Sequence, residues 1–64
     1  MEPTNDHERA IAKAVDARLR EDADNQIHLI LRGVVVSLDF AMSASDTQFL
    51  VRYVQWRGAN PVGP

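Results

Sequence analysis

Three polar residues near the middle of the chain are of the types found in a serine hydrolase triad. They are His28, Ser37 and Asp39. If residues 28–40 form a β-hairpin, His28 lies across from Ser37, and Asp39 follows on the same face. A surface hairpin of this size offers neither an oxyanion hole nor a pocket. We therefore interpret all three as ordinary polar surface residues and expect that the protein is not an enzyme.

Other reactive or ligand-binding groups are sparse in this sequence. There is no cysteine, which excludes a thiol nucleophile, a disulfide and a thiolate metal site. His7 and His28 fall in different predicted elements and do not make a metal-ligand set. The three glycines stand apart, so no phosphate-binding loop is present. We expect no metal and no cofactor.

Aromatic and cationic residues near the carboxyl end form a candidate binding surface. Tyr53, Trp56 and Arg57 follow one another closely. We expect Tyr53 to complete the core. Trp56 either shields the edge of the core or contacts a partner, because tryptophan often keeps one side in water.

Composition and charge restrict the class of protein. The 64 residues are 45% hydrophobic and 25% charged, which is typical of a folded domain. Net charge is −2, with −3 over residues 1–24 and +1 over residues 25–64, which argues against a nucleic-acid binder. No apolar run is long enough to cross a membrane, and the acidic start "MEPTNDHERA" does not resemble a signal peptide. We expect a cytoplasmic protein.

The first predicted helix runs from Asp6 to about Asp22. Asn5 is a good N-cap, and Glu8 stands at the capping-box position. Ile11, Val15 and Leu19 form its apolar seam. Residues 1–4 are expected to be a disordered lead, and residues 5–62 a single small domain.

The second predicted helix runs from Asp46 to Arg57. Ser45 with Gln48 is the favoured capping box, and Ser43 with Asp46 is the weaker alternative. Gly58 is well placed as the C′ residue that ends the helix.

Between the helices, residues 27–31 and 34–40 predict two strands joined at Arg32-Gly33. Glycine supplies the backbone conformation that a tight turn needs. In this register one face of the hairpin is wholly apolar: Ile27, Leu29, Leu31, Val34, Val36 and Leu38. The other face pairs Ile30 with Val35 beside the turn and places His28 farther along. Two exposed apolar residues directly opposite one another indicate a contact surface.

The predicted fold class is α+β, a two-layer α-β-β-α(-β) arrangement with the β-hairpin packed against two helices. A short third strand at Ala59–Val62 is possible. A two-stranded sheet is weak alone, and so short a chain is marginally stable without help. We therefore expect a homo-oligomer or a protein partner.

The order of elements resembles the BON domain, a bacterial module of about this length. The resemblance depends on "ERAIAKAVDARLRED", on "IHLILRGVVVSLDF" with Gly33 before the second strand, and on "FLVRYVQWRGANPV" with Gly58 after the second helix. The glycine that commonly follows the family's second strand is replaced by Asp39-Phe40. The resemblance implies a non-catalytic module that contacts proteins or phospholipid surfaces. It also implies a location in the cell envelope if the chain is an excised BON-type domain.

Two functional hypotheses follow. The first is a BON-like binding or assembly module that self-associates. Its candidate contact residues are Ile30, Val35, His28, Trp56 and Arg57. The second is a small cytoplasmic regulator or inhibitor that docks on a larger protein through its acidic first helix. The acids that would matter there are Glu8, Asp16, Glu21, Asp22 and Asp24.

Overall fold

A computed structural model describes residues 1–21 and 26–61, and within them it contains three α-helices and no strand. Helix α1 spans Asp6–Glu21, α2 spans Ile27–Ser37 and α3 spans Ala44–Ala59. The predicted α+β class and its β-hairpin are therefore wrong. The segment assigned to two strands is largely one helix.

Helix α1 begins where the sequence predicts. The Oδ1 atom of Asn5 accepts a hydrogen bond from the backbone N–H of Glu8 at 2.8 Å, which confirms Asn5 as the N-cap. The Glu8 carboxylate accepts instead from the backbone N–H and the hydroxyl of Thr4, both at 2.9 Å. Negative charge in this first turn also interacts favourably with the helix dipole. The predicted end at Asp22 lies outside the described residues.

A helix, α2, stands where the sequence predicts the hairpin. Its residues are apolar on nearly every side. Such a segment matches the period of a strand and of a helix equally well. Ile30 and Val34 are one helical turn apart and both are buried. The predicted pairing of Ile30 with Val35 does not occur, since residues five apart on a helix point about 140° away from each other. Ile30 enters the core and Val35 is exposed.

Gly33, the predicted turn residue, lies within α2. A Cβ atom built at Gly33 would stand 2.8 Å from both Nε and Cζ of Arg18. The Arg18 side chain, from the last turns of α1, therefore lies across Gly33. Glycine is unfavourable inside a helix by about 1 kcal/mol relative to alanine. Here it makes room for the guanidinium.

Helix α3 begins two residues before its predicted start. Ser43 is the N-cap: its Oγ accepts from the backbone N–H of Asp46 at 3.1 Å, and Asp46 Oδ2 accepts from the backbone N–H of Ser43 at 3.0 Å. This is a complete capping box. The favoured assignment of Ser45 with Gln48 was wrong, and the alternative with Ser43 is confirmed.

Helix α3 also ends later than predicted. Gly58 lies inside the helix, and Asn60 is the C-cap. The backbone N–H and the side-chain amide of Asn60 both donate to the carbonyl of Trp56, at 2.9 and 2.8 Å. Ala59 is the last helical residue, so the suggested third strand does not start there. Val62 lies outside the described residues.

The core is formed where the three helices meet. Its buried residues are Ile11, Ala12 and Val15 of α1, Ile30 and Val34 of α2, and Phe49, Leu50, Tyr53 and Val54 of α3. Helix α1 packs extensively against both other helices, whereas α2 and α3 contact each other much less. Within residues 1–21 and 26–61, one side of α2 therefore has no neighbouring helix.

Candidate functional site

The uncovered side of α2 is the most unusual surface among the described residues. We call it the α2 outer face and define it as His28, Leu29, Arg32, Val35 and Val36. Val36 is 82% exposed, and Leu29 and Val35 are each 48% exposed. A helix that is apolar on all sides is normally buried on all sides. Several exposed apolar side chains on one short helix are typical of a binding surface.

Helical geometry groups these residues. Leu29 and Val36 are seven positions apart and point within about 20° of each other, so they form one apolar stripe. Arg32 lies on one side of this stripe, and Gly33 lies on the other. Since the Arg18 guanidinium lies across Gly33, a guanidinium flanks the stripe on each side.

Of the five predicted contact residues, two lie on this surface. His28 and Val35 are seven positions apart on α2 and both are exposed. Ile30 is only 1% exposed and belongs to the core. Trp56 and Arg57 lie on α3 and are partly buried. One of the five residues therefore belongs to the core, two lie on the exposed side of α2, and two lie on α3.

The polar residues that resembled a triad are not brought together. His28 and Ser37 are nine positions apart on α2, which places them about 180° apart around its axis. The Ser37 hydroxyl donates to the carbonyl of Val34 at 2.8 Å, as serine commonly does within a helix. Asp39 follows the end of the helix.

A polar cluster that the sequence did not predict links α1 to α3. The Tyr53 hydroxyl donates to the Asp16 carboxylate, with its oxygen 2.9 Å from Oδ1 and 3.1 Å from Oδ2. Arg57 Nε donates to Asp16 Oδ1 at 3.1 Å, and Arg57 Nη2 donates to the Tyr53 hydroxyl at 2.9 Å. The four-residue spacing of Asp16 and Arg20 would also permit an ion pair along α1. Helix packing supplies Arg57 as the ion-pair partner instead.

The same cluster places the Arg57 guanidinium over aromatic rings. Its Cζ lies 4.5 Å from the centre of the Trp56 ring and 5.4 Å from that of Tyr53. Burial raises the pKa of Tyr53, and the hydrogen bond to Tyr53 raises the pKa of Arg57. Arg57 Nη1 donates to the carbonyl of Asn60 at 3.2 Å, so all three guanidinium nitrogens donate within the chain.

An open groove of about 650 Å³ adjoins this cluster, with Lys13 and Arg20 of α1 on its wall. Because Arg57 donates to Asp16 of α1 and to Tyr53 of α3, it holds α3 against α1. Trp56 packs against the core beside it.

A second unpredicted contact joins the starts of α1 and α3. His7 Nδ1 lies 2.9 Å from Asp46 Oδ2, and the His7 ring stacks on Phe40 with centroids 3.8 Å apart. The hydrogen bond to His7, followed by that from the Ser43 backbone, lowers the pKa of Asp46. A histidine oriented by a carboxylate is one part of a catalytic triad. Here, however, the same carboxylate caps α3, and no serine or threonine hydroxyl of the described residues hydrogen-bonds to His7.

No local sequence signal reveals either cluster. His7 and Asp46 are 39 positions apart, and Asp16 and Arg57 are 41 apart. In residues 1–21 and 26–61, no group of three or more His, Cys, Asp or Glu side chains could hold a metal ion. In the same ranges, no helix has the length and apolar character needed to cross a membrane.

No family model matches the chain, and neither the curated proteins nor the solved structures include a significant match. The paired strands that suggested the BON domain fall largely on α2. That resemblance therefore contributes nothing to the functional argument below.

Proposed function

We propose that this chain is a small non-catalytic interaction module that binds another protein through the α2 outer face. The observation that carries the proposal is the exposure of Leu29, Val35 and Val36 on one short helix. Single exposed aliphatic residues are common on protein surfaces. Four aliphatic residues of this 11-residue helix are exposed, since Ile27 is 53% exposed as well, and this favours a surface that a partner covers.

The energy available at this surface suits a modest protein contact. Burying a whole Leu or Val side chain contributes about 1.5–3 kcal/mol. The stripe of Leu29 and Val36 would therefore contribute a few kcal/mol once a partner covers it. Part of that gain offsets the entropy lost on association, so the expected complex is reversible.

The alternative site on the acidic first helix has less support. The Asp16 carboxylate is already bonded to Tyr53 and Arg57, and the Glu8 carboxylate accepts two hydrogen bonds from Thr4. Acids that are bonded within the chain are less available to a partner. Asp22 and Asp24 lie outside the described residues.

The proposal is tested with peptides selected from a displayed random library for binding to the intact chain. Val36→Glu places a charge on the outer face at a position too exposed to affect folding. Val51→Glu is the matched control, because Val51 is also an exposed valine but lies on α3. We expect the selected peptides to lose at least about tenfold in affinity for Val36→Glu and to bind Val51→Glu like the parent.

Circular dichroism of both variants checks that the helices are retained. Peptides that bind Val36→Glu as tightly as the parent protein would show that the binding surface lies elsewhere. A protein from which no binding peptide can be selected would also contradict the proposal.

A further inference from the structure

We propose that the partner of the α2 outer face is an acidic amphipathic helix, with a leucine-type stripe bordered by carboxylates. This inference rests on the proposed function and names the chemistry of the binding partner. It is drawn from the guanidiniums of Arg32 and Arg18, which flank the apolar stripe. Glu21 and Asp39 line a groove together with Arg18, whereas Arg32 has no acid on its own helix.

The stripe has the dimensions of a helix-binding surface. Leu29 and Val36 are separated by about 10.5 Å along the axis of α2, which is two helical turns. Residues at i, i+3 or i+4, and i+7 on a second helix repeat over the same distance. A partner helix could therefore place apolar residues along the whole stripe.

The charged side chains beside the stripe determine which kind of partner helix would bind. Arg32 flanks the stripe on one side, and the Arg18 guanidinium lies across Gly33 on the other. The sequence from Ile27 to Leu38 contains no aspartate or glutamate. Guanidinium groups form paired, directional hydrogen bonds with carboxylates, so glutamates on both borders of a partner helix would meet them.

The same charges disfavour a second copy of this chain as the occupant. A symmetric contact between two α2 helices would bring Arg32 close to Arg32 of the other copy. No acid of the α2 segment is available to separate these charges. Like charges facing each other across a contact destabilise it.

A lipid surface is also disfavoured. The net charge of the chain is −2, and strong attraction to an anionic membrane requires several basic residues close together. The two guanidiniums beside the stripe are too few for that. They suffice to orient a helix with one acidic residue on each border.

Two designed helical peptides test the inference by fluorescence anisotropy with the intact chain. Both carry leucines at helical spacing on one side. The first has glutamates on both borders of the leucine stripe, and the second has lysines at the same positions. We expect the glutamate peptide to bind at least about tenfold more tightly than the lysine peptide, and its affinity to fall with added salt.

Charge reversal at Arg32 supplies the matched variant. Arg32→Glu should weaken binding of the glutamate peptide by about tenfold and improve binding of the lysine peptide. Arg52→Glu, an exposed arginine on α3, is the control and should leave the preference between the two peptides unchanged. Such a result would support a contact between Arg32 and one acidic border of the partner helix.

The remaining outcomes separate this inference from the proposed function. If both peptides bind equally and Val36→Glu abolishes binding, the surface binds helices but the acidic partner is wrong. If neither peptide binds and sedimentation shows a dimer that Val36→Glu dissociates, the occupant is a second copy. Co-sedimentation with phosphatidylserine vesicles that Val36→Glu removes would identify a lipid instead. If none of these is seen, both the inference and the proposed function fail.

Discussion

A polar cluster beside the small core consists of three side chains that hydrogen-bond to one another: Asp16, Tyr53 and Arg57. In this cluster a carboxylate, a phenol and a guanidinium share hydrogen bonds that join α1 to α3. Among the described residues no buried side-chain nitrogen or oxygen lacks a hydrogen-bond partner. Leaving such a group unpaired typically costs about 1–3 kcal/mol, which a domain of this size could not easily absorb.

Asp46 is the residue whose protonation should matter most to stability. Its pKa is held below the ordinary value of 3.8, first by the hydrogen bond to His7 and then by that from the Ser43 backbone. The unfolded chain therefore takes up a proton at Asp46 at a higher pH than the folded chain does. The stabilisation is complete above the unfolded pKa and is lost as the pH falls through the folded pKa.

Urea midpoints measured across the acidic range check this prediction. The matched variant is Asp46→Asn, which keeps a side-chain oxygen that can accept from the Ser43 N–H. In this variant the urea midpoint should fall less steeply as the pH is lowered. An unchanged slope in this variant would show that other carboxylates cause the loss of stability in acid.

At the scale of single elements, the cap of α3 distinguishes Ser43 from Ser45, the serine that the sequence favours. Ser43→Ala should destabilise the protein by about 1 kcal/mol, because it removes the acceptor for the Asp46 N–H. Ser45→Ala is the matched control and should change the free energy of unfolding by no more than about 0.5 kcal/mol. Chemical denaturation followed by circular dichroism measures both, and a larger loss for Ser45→Ala would contradict the observed cap.

The elements differ in how far their sequence determines them. Helix α1 could be predicted because its cap, its alanines and its apolar seam all indicate the same structure. Most of α3 could be predicted. Its two capping-box patterns are offset by two residues, so the predicted start of the helix lay two residues too late. Helix α2 could not be predicted, since a segment that is apolar on both sides fits either period and β-branched residues favour a strand.

Tertiary contacts explain why α2 is helical despite those preferences. An isolated two-stranded sheet is only marginally stable. A helix satisfies its own backbone hydrogen bonds, and α2 also places Ile30 and Val34 against the core. The two polar clusters depend on the same packing, so they could not be derived before the helices were positioned.

For the molecule as a whole, the contrast between Ile30 and Val35 tests the fold. Ile30→Ala should cost about 2–5 kcal/mol, because it leaves a cavity in the core. A chain of this length has a total stability of only about 3–10 kcal/mol, so this variant should lose a large part of it. Val35→Ala, on the exposed side of the same helix, should change stability by about 0.5 kcal/mol or less.

Thermal unfolding of the two variants measures the difference. Under the hairpin interpretation Ile30 and Val35 would be equivalent, and the two substitutions would have similar effects. Equal losses would therefore contradict the helical assignment of this segment.

The limited contact between α2 and α3 also has a consequence for motion. An 11-residue helix is not stable alone, and α2 is supported mainly from one side, by α1. Its backbone amides should therefore exchange with deuterium through a partial opening that leaves α1 and α3 paired through Asp16 and Arg57. A helix bound on the outer face would close that opening, so slower exchange confined to α2 would report binding before any change of shape is seen.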